Sequence, residues 1–141
     1  MAISLIAYAK ADIRASWSAI EAIKAKAGNE KATKGIAAYH AQQAIEKIIK
    51  AEIYRANPGI SPQKMYTHKI YDLCAIAESN GVKVPKEIKE KAYMYSDWEA
   101  AGRYDLHFSV RVDSVKKALH LAENWLREIK ALLDNRQILF D

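Results

Sequence analysis

The residues best suited to chemistry stand in residues 39–47, with the sequence YHAQQAIEK. At about 100° per residue, His40, Gln43, Lys47 and Tyr54 share one stripe of a helix, beside an arc of alanines and isoleucines. Their imidazole, amide, ammonium and phenol groups suit a phosphate, the edge of a base or another subunit. Two plainer interpretations stay open. In one, Gln43 and Lys47 face water while His40 packs at the margin of the core. In the other, the stripe forms an internal network that orients the helix.

A second group of polar residues follows Gly102, where we expect a helix to end. Arg103 offers five donors in a plane and Tyr104 offers a stacking face, so the pair suits a phosphate and a base. The structural alternative pairs Arg103 with Glu99 one turn earlier while Tyr104 covers the end of the bundle. His107 suits proton transfer, and its alternative role is a local hydrogen bond.

Other kinds of catalytic or metal site lack support in the sequence. Its one cysteine, Cys74, excludes an internal disulfide, and no two histidines are four positions apart. We therefore expect neither a metal site nor a cofactor. No glycine-rich phosphate loop supports an ATPase or a kinase.

Composition favours one folded domain over residues 1–141. Half of the residues (50%) are hydrophobic, which argues against disorder. Lysine and arginine exceed aspartate and glutamate by 22 to 17, and the net charge of +5 favours partners that carry phosphates. We find no basic leader and no apolar run that could cross a membrane, and therefore expect a cytoplasmic location.

Helical periodicity recurs along the whole chain and predicts an all-α bundle of five helices. The first helix is expected to end near Gly28-Asn29 and the second to span residues 31–56. Thr67 is expected to cap the third helix, which stops at Asn80-Gly81.

The last two helices are predicted from a proline and from an apolar stripe. The fourth helix is expected to run from Pro85 to Gly102. The fifth carries apolar residues at helical spacing, which are Val115, Ala118, Leu119, Ala122, Trp125, Leu126, Ile129, Leu132 and Leu133.

Four features follow one another along the chain: the 39–47 segment, Thr67-His68, Gly102-Arg103-Tyr104-Asp105 and the long amphipathic last helix. In this order they resemble the HEPN domain family. The resemblance implies that the five helices form an antiparallel bundle, which commonly forms a homodimer and whose members bind nucleotides or RNA. Some members are noncatalytic companions of small nucleotidyltransferases. Others are RNA-cleaving toxins, as in toxin–antitoxin pairs, with four to six residues between an arginine and a histidine.

The resemblance also implies site residues, because the family places its polar groove beside the second helix. Ligand binding would then involve His40, Gln43, Lys47, Arg103 and Tyr104. Two departures from the family pattern surround these positions. Lys69-Ile70 follows His68 where the family more often has Asp-Leu, and Tyr104 follows Arg103 where the nucleases more often have a polar residue such as Asn, Asp or His.

Arg103 and His107 would form the catalytic pair only if the chain were a ribonuclease. Three residues separate them, one fewer than the toxin pattern has. Our leading hypothesis is therefore a noncatalytic binding module that engages a nucleotide, RNA or a companion nucleotidyltransferase. The alternatives are a metal-independent toxin-type ribonuclease and a purely structural dimerisation module.

Overall fold

The chain folds into helices in a computed structural model that describes residues 1–67, 69–101 and 110–140, with only the backbone described at 100, 101 and 136–140. The described residues form six α-helices, one short 3-10 helix and no strand, which confirms the all-α prediction. The helices are α1 (Ala2–Lys24), α2 (Glu30–Ala56), α3 (Ile70–Ser79), α4 (Lys86–Glu90), α5 (Ala92–Ala101) and α6 (Val112–Phe140), and the 3-10 helix spans Pro62–Met65.

The turn between α1 and α2 depends on left-handed backbone and on one cap. α1 ends at Lys24, earlier than predicted, because Lys26 and Gly28 take φ angles of 57° and 73° that no right-handed helix accommodates. Asn29 then caps α2, since its side-chain oxygen accepts the backbone N–H of Ala32 at 2.9 Å. The predicted extent of the second helix is confirmed within one residue.

The predicted cap of the third helix is wrong. α3 begins at Ile70, and its first backbone N–H donates to Oγ of Ser96 on α5 at 2.8 Å. Thr67 instead accepts from the backbone N–H of Lys69 at 3.1 Å, before the helix starts. The first backbone N–H of α3 is therefore capped by a hydroxyl from another helix and not by Thr67. His68 lies outside the described residues.

The predicted fourth helix is divided into α4 and α5. Lys91 separates them with φ −102° and ψ 8°, angles of the bridge region between helical and extended backbone. Its carbonyl accepts the N–H of Tyr95 at 3.0 Å, so α5 resumes at once. The expected end at Gly102 lies outside the described residues, and α5 is described as far as Ala101.

The core is built around α2, which packs against α1, α3, α5 and α6. Its isoleucines Ile45, Ile48, Ile49 and Ile53 are fully buried. Each such side chain contributes about 1.5–3 kcal/mol through removal from water. This burial holds the polar stripe of α2 at the edge of the core.

The apolar stripe of α6 is only partly buried. Its members from Val115 to Ile129 face the core, with Leu126 half-buried. Leu132 and Leu133, by contrast, are 56% and 41% exposed. The apolar stripe predicted from helical spacing therefore runs further along α6 than the residues that the core buries.

Cys74 gives a test of this packing. Burial raises the pKa of its thiol from 9.0 to about 11, because the interior disfavours the thiolate. At about pH 8 the folded protein should therefore react with Ellman's reagent at least about 100-fold more slowly than the unfolded chain. The rate should climb as the pH rises toward the raised pKa. Equal rates in the folded and unfolded protein would contradict the burial of Cys74.

Candidate functional site

The polar stripe of α2 faces α1, where one carboxylate receives two of its side chains. Asp12 is only 9% exposed. Its Oδ1 lies 2.9 Å from Nδ1 of His40, and its Oδ2 accepts a hydrogen bond from Nζ of Lys47. Because an ionised carboxylate only accepts, the imidazole carries its hydrogen on Nδ1. One acidic group thus holds both a cation and an imidazole.

Gln43 extends these bonds along α2. Its Oε1 accepts from Nζ of Lys47 at 3.5 Å, and its Nε2 donates to Oε1 of the buried Gln42 at 2.7 Å. The structure therefore brings together His40, Gln43 and Lys47 around Asp12. We name these four residues the Asp12 cluster.

Small residues let α1 and α2 approach closely enough for these bonds. Ala9, Ala41 and Ala44 are at most 1% exposed and present little bulk between the helices. Oγ of Ser16, one turn after Asp12, donates to the carbonyl of Ala37 at 2.7 Å. The close packing explains why a carboxylate in this interface needs charged or polar partners, since an isolated buried charge would be strongly unfavourable.

The Asp12 cluster retains hydrogen-bonding capacity at its outer edge. The side chains of His40 and Lys47 are 29% and 24% exposed. Lys47 has three N–H donors, of which Asp12 and Gln43 engage two. Nε2 of His40 forms no hydrogen bond within the described part of the chain. The remaining N–H of Lys47 can donate to an anion, and Nε2 of His40 can accept from a hydroxyl or from the polar edge of a base, without breaking the bonds to Asp12.

Tyr54, predicted on the same stripe, lies apart from these bonds. It is half-buried and packs against the hydrophobic core. The aromatic neighbour of the cluster is Tyr39, whose ring meets that of His40 edge-on at 5.3 Å between centroids. Tyr39 therefore limits the movement of the imidazole on one side.

Three of the predicted site residues, Arg103, Tyr104 and His107, lie outside the described residues. Their roles stay predictions, as does the alternative pairing of Arg103 with Glu99. Asp12 was not among the predicted site residues. A signal for it exists, because Asp12 is the one acidic residue in the first twenty and adjoins the core-facing Ile13.

The described residues offer neither a metal-binding group nor a membrane-spanning helix. Within residues 1–67, 69–101 and 110–140, no group of three or more His, Cys, Asp or Glu side chains is placed to hold a metal ion. Over the same ranges, no helix has both the length and the apolar character that crossing a bilayer requires.

Replacing Lys47 tests whether Asp12 depends on its partners. We expect Lys47→Ala to lower the free energy of unfolding by about 2 kcal/mol, because it leaves a mostly buried carboxylate with one polar partner. Lys34→Ala is the matched control, since Lys34 also lies on α2 and pairs at 3.8 Å with the exposed Glu30. That change should cost less than about 0.5 kcal/mol in urea unfolding. Similar costs for both variants would contradict the proposed dependence.

Comparison with known proteins gives one family. The model of the HEPN domain matches residues 9–132, which is most of the chain and includes the whole Asp12 cluster. No curated protein and no solved structure matches significantly. The resemblance found in the sequence is thereby confirmed. The chain belongs to the HEPN domain family.

Proposed function

We propose that this chain is a noncatalytic HEPN-type binding module that engages a nucleotide or RNA at the outer edge of the Asp12 cluster. Membership of the family indicates a nucleotide- or RNA-related function. The observation that carries the finer proposal is the pair of partly exposed groups, His40 and Lys47, that share one buried carboxylate.

The cluster suits a ligand because its free donor, on Lys47, and its free acceptor, Nε2 of His40, are already ordered. The bond from Nδ1 to Asp12 fixes the plane of the His40 ring and directs Nε2 away from the carboxylate. Lys47 is held from two sides, by Asp12 and by Gln43. Little side-chain entropy remains to be lost when a ligand binds, which favours affinity.

The charge of the cluster favours selective rather than indiscriminate binding. Asp12 offsets the charge of Lys47, so the site has little net charge while the imidazole is neutral. A phosphate oxygen would accept the remaining N–H of Lys47, while Nε2 of His40 would meet a ribose hydroxyl or the edge of a base. The net charge of +5 on the whole chain would assist the approach of a polyanion.

The noncatalytic part of the proposal rests on the short spacing between Arg103 and His107. A metal-independent ribonuclease is the alternative function. A companion nucleotidyltransferase, a homodimer and a cytoplasmic location remain predictions from the sequence and its resemblance, as does a structural role in dimerisation.

Ligand binding is tested by calorimetric titration with the four nucleoside monophosphates and with a short single-stranded RNA. We expect Lys47→Ala to weaken binding about tenfold, the loss of one charge-assisted hydrogen bond. Lys34→Ala, on the same helix, should bind as the unaltered protein does. Circular dichroism at the titration temperature confirms that each variant is folded. Absence of binding to every probe, or equal affinity in both variants, would refute the proposal.

The alternative function is tested with cellular RNA and a metal chelator. We expect the RNA to remain intact. Cleavage by the unaltered protein that is lost in both Arg103→Ala and His107→Ala would establish a ribonuclease.

A further inference from the structure

Two tyrosines from different helices stack on the surface, away from the Asp12 cluster. The rings of Tyr71 on α3 and Tyr93 on α5 have centroids 4.4 Å apart and planes inclined by 21°. Nζ of Lys69 lies 5.8 Å from the centroid of the Tyr71 ring. We name Lys69, Tyr71 and Tyr93 the tyrosine platform.

Adjacent backbone contacts hold the platform in place. Ser96 on α5 accepts the backbone N–H of Ile70 at 2.8 Å, and the same hydroxyl donates to the carbonyl of Ala92 at 2.8 Å. Ile70 directly precedes Tyr71, and Ala92 directly precedes Tyr93. The two rings are therefore attached to backbone segments that a shared hydroxyl keeps together.

The packing of the core does not account for the position of Tyr93. Its residue is 71% exposed, whereas Tyr95 on the same helix is 1% exposed and packs against Trp98 at 5.1 Å between centroids. The core face of α5 is thus filled without Tyr93. With Tyr71 against one face of its ring, Tyr93 keeps an aromatic face toward solvent.

We propose that the tyrosine platform binds an unpaired nucleobase, which stacks on the open face of Tyr93 and extends the existing pair of rings. Every base has a π-face, so stacking of this kind tolerates different sequences. The base must be unpaired, because in a duplex both faces are covered by neighbouring base pairs. The ligand class rests on the proposed function, but the site is separate from the Asp12 cluster.

The charges around the platform indicate that stacking, and not attraction of phosphate, is the main contribution to binding there. Lys69 is exposed and can meet a phosphate of the same strand. Asp72 follows Tyr71, and Asp97 lies one helical turn beyond Tyr93, so the surroundings are not strongly basic. Binding at the platform should therefore depend only weakly on salt, with the slope expected for about one phosphate contact.

The test is fluorescence anisotropy with a labelled single-stranded RNA of about ten nucleotides, which offers several unpaired bases for stacking. We expect Tyr93→Ala to weaken binding about tenfold and Tyr93→Phe to retain it, because stacking needs the ring and not the hydroxyl. Tyr8→Ala is the control, since Tyr8 is also exposed (66%) but lies on α1. A duplex of the same sequence should bind more weakly than the single strand.

The outcomes separate this inference from the proposed function. If Lys47→Ala weakens RNA binding while Tyr93→Ala does not, the platform is overturned and the proposed function stands. If Tyr93→Ala weakens RNA binding while Lys47→Ala does not, the platform is supported and the proposed role of the Asp12 cluster in binding RNA is overturned. If the unaltered protein binds no RNA, the platform is overturned, whereas the proposed function is then decided by the titration with the nucleoside monophosphates. Because Tyr93 is exposed, its replacement by Ala should leave thermal unfolding nearly unchanged.

Discussion

The carboxylate of Asp12, enclosed between α1 and α2, is the constraint on which the described site depends. An ionised group at 9% exposure is tolerated only with close partners, and Lys47 and His40 supply them. Sliding α1 along α2 by one turn, about 5.4 Å, would separate the carboxylate from both. The bonds of Asp12, together with that from Ser16 to Ala37, therefore favour one register of α1 against α2, which the packing of small alanines alone would specify weakly.

The same bonds connect stability with binding. Asp12 bonds to Nδ1 of His40 and to one N–H of Lys47. Nε2 of His40 and another N–H of Lys47 stay available at the surface. A ligand would meet groups whose positions have been fixed by folding. The tyrosine platform follows a similar logic, because the hydroxyl of Ser96 holds α3 against α5 and an aromatic face is left open. In both places a partly buried polar contact orders a group that reaches the surface.

Features that repeat along one helix could be predicted from the sequence, whereas features that join two helices could not. The stripe of His40, Gln43 and Lys47 follows from helical spacing, and the structure places these residues together. Their partner Asp12 is 28 positions from His40, and no local pattern relates the two. The cap of α3 was missed for the same reason, since the hydroxyl of Ser96 comes from another helix. The roles of Arg103 and His107 stay predictions, because both residues lie outside the described part of the chain.

The most direct test of the central claim is nitrogen NMR of the His40 ring during a titration with a nucleotide. We expect Nδ1 to carry the hydrogen directed at Asp12, and the Nε2 resonance to shift as the ligand binds. Replacing Asp12 with Asn should alter the tautomer and reduce the shift. A hydrogen on Nε2 in the free protein, or an Nε2 resonance that does not move while the ligand binds, would contradict the proposal that Asp12 orders His40 for binding.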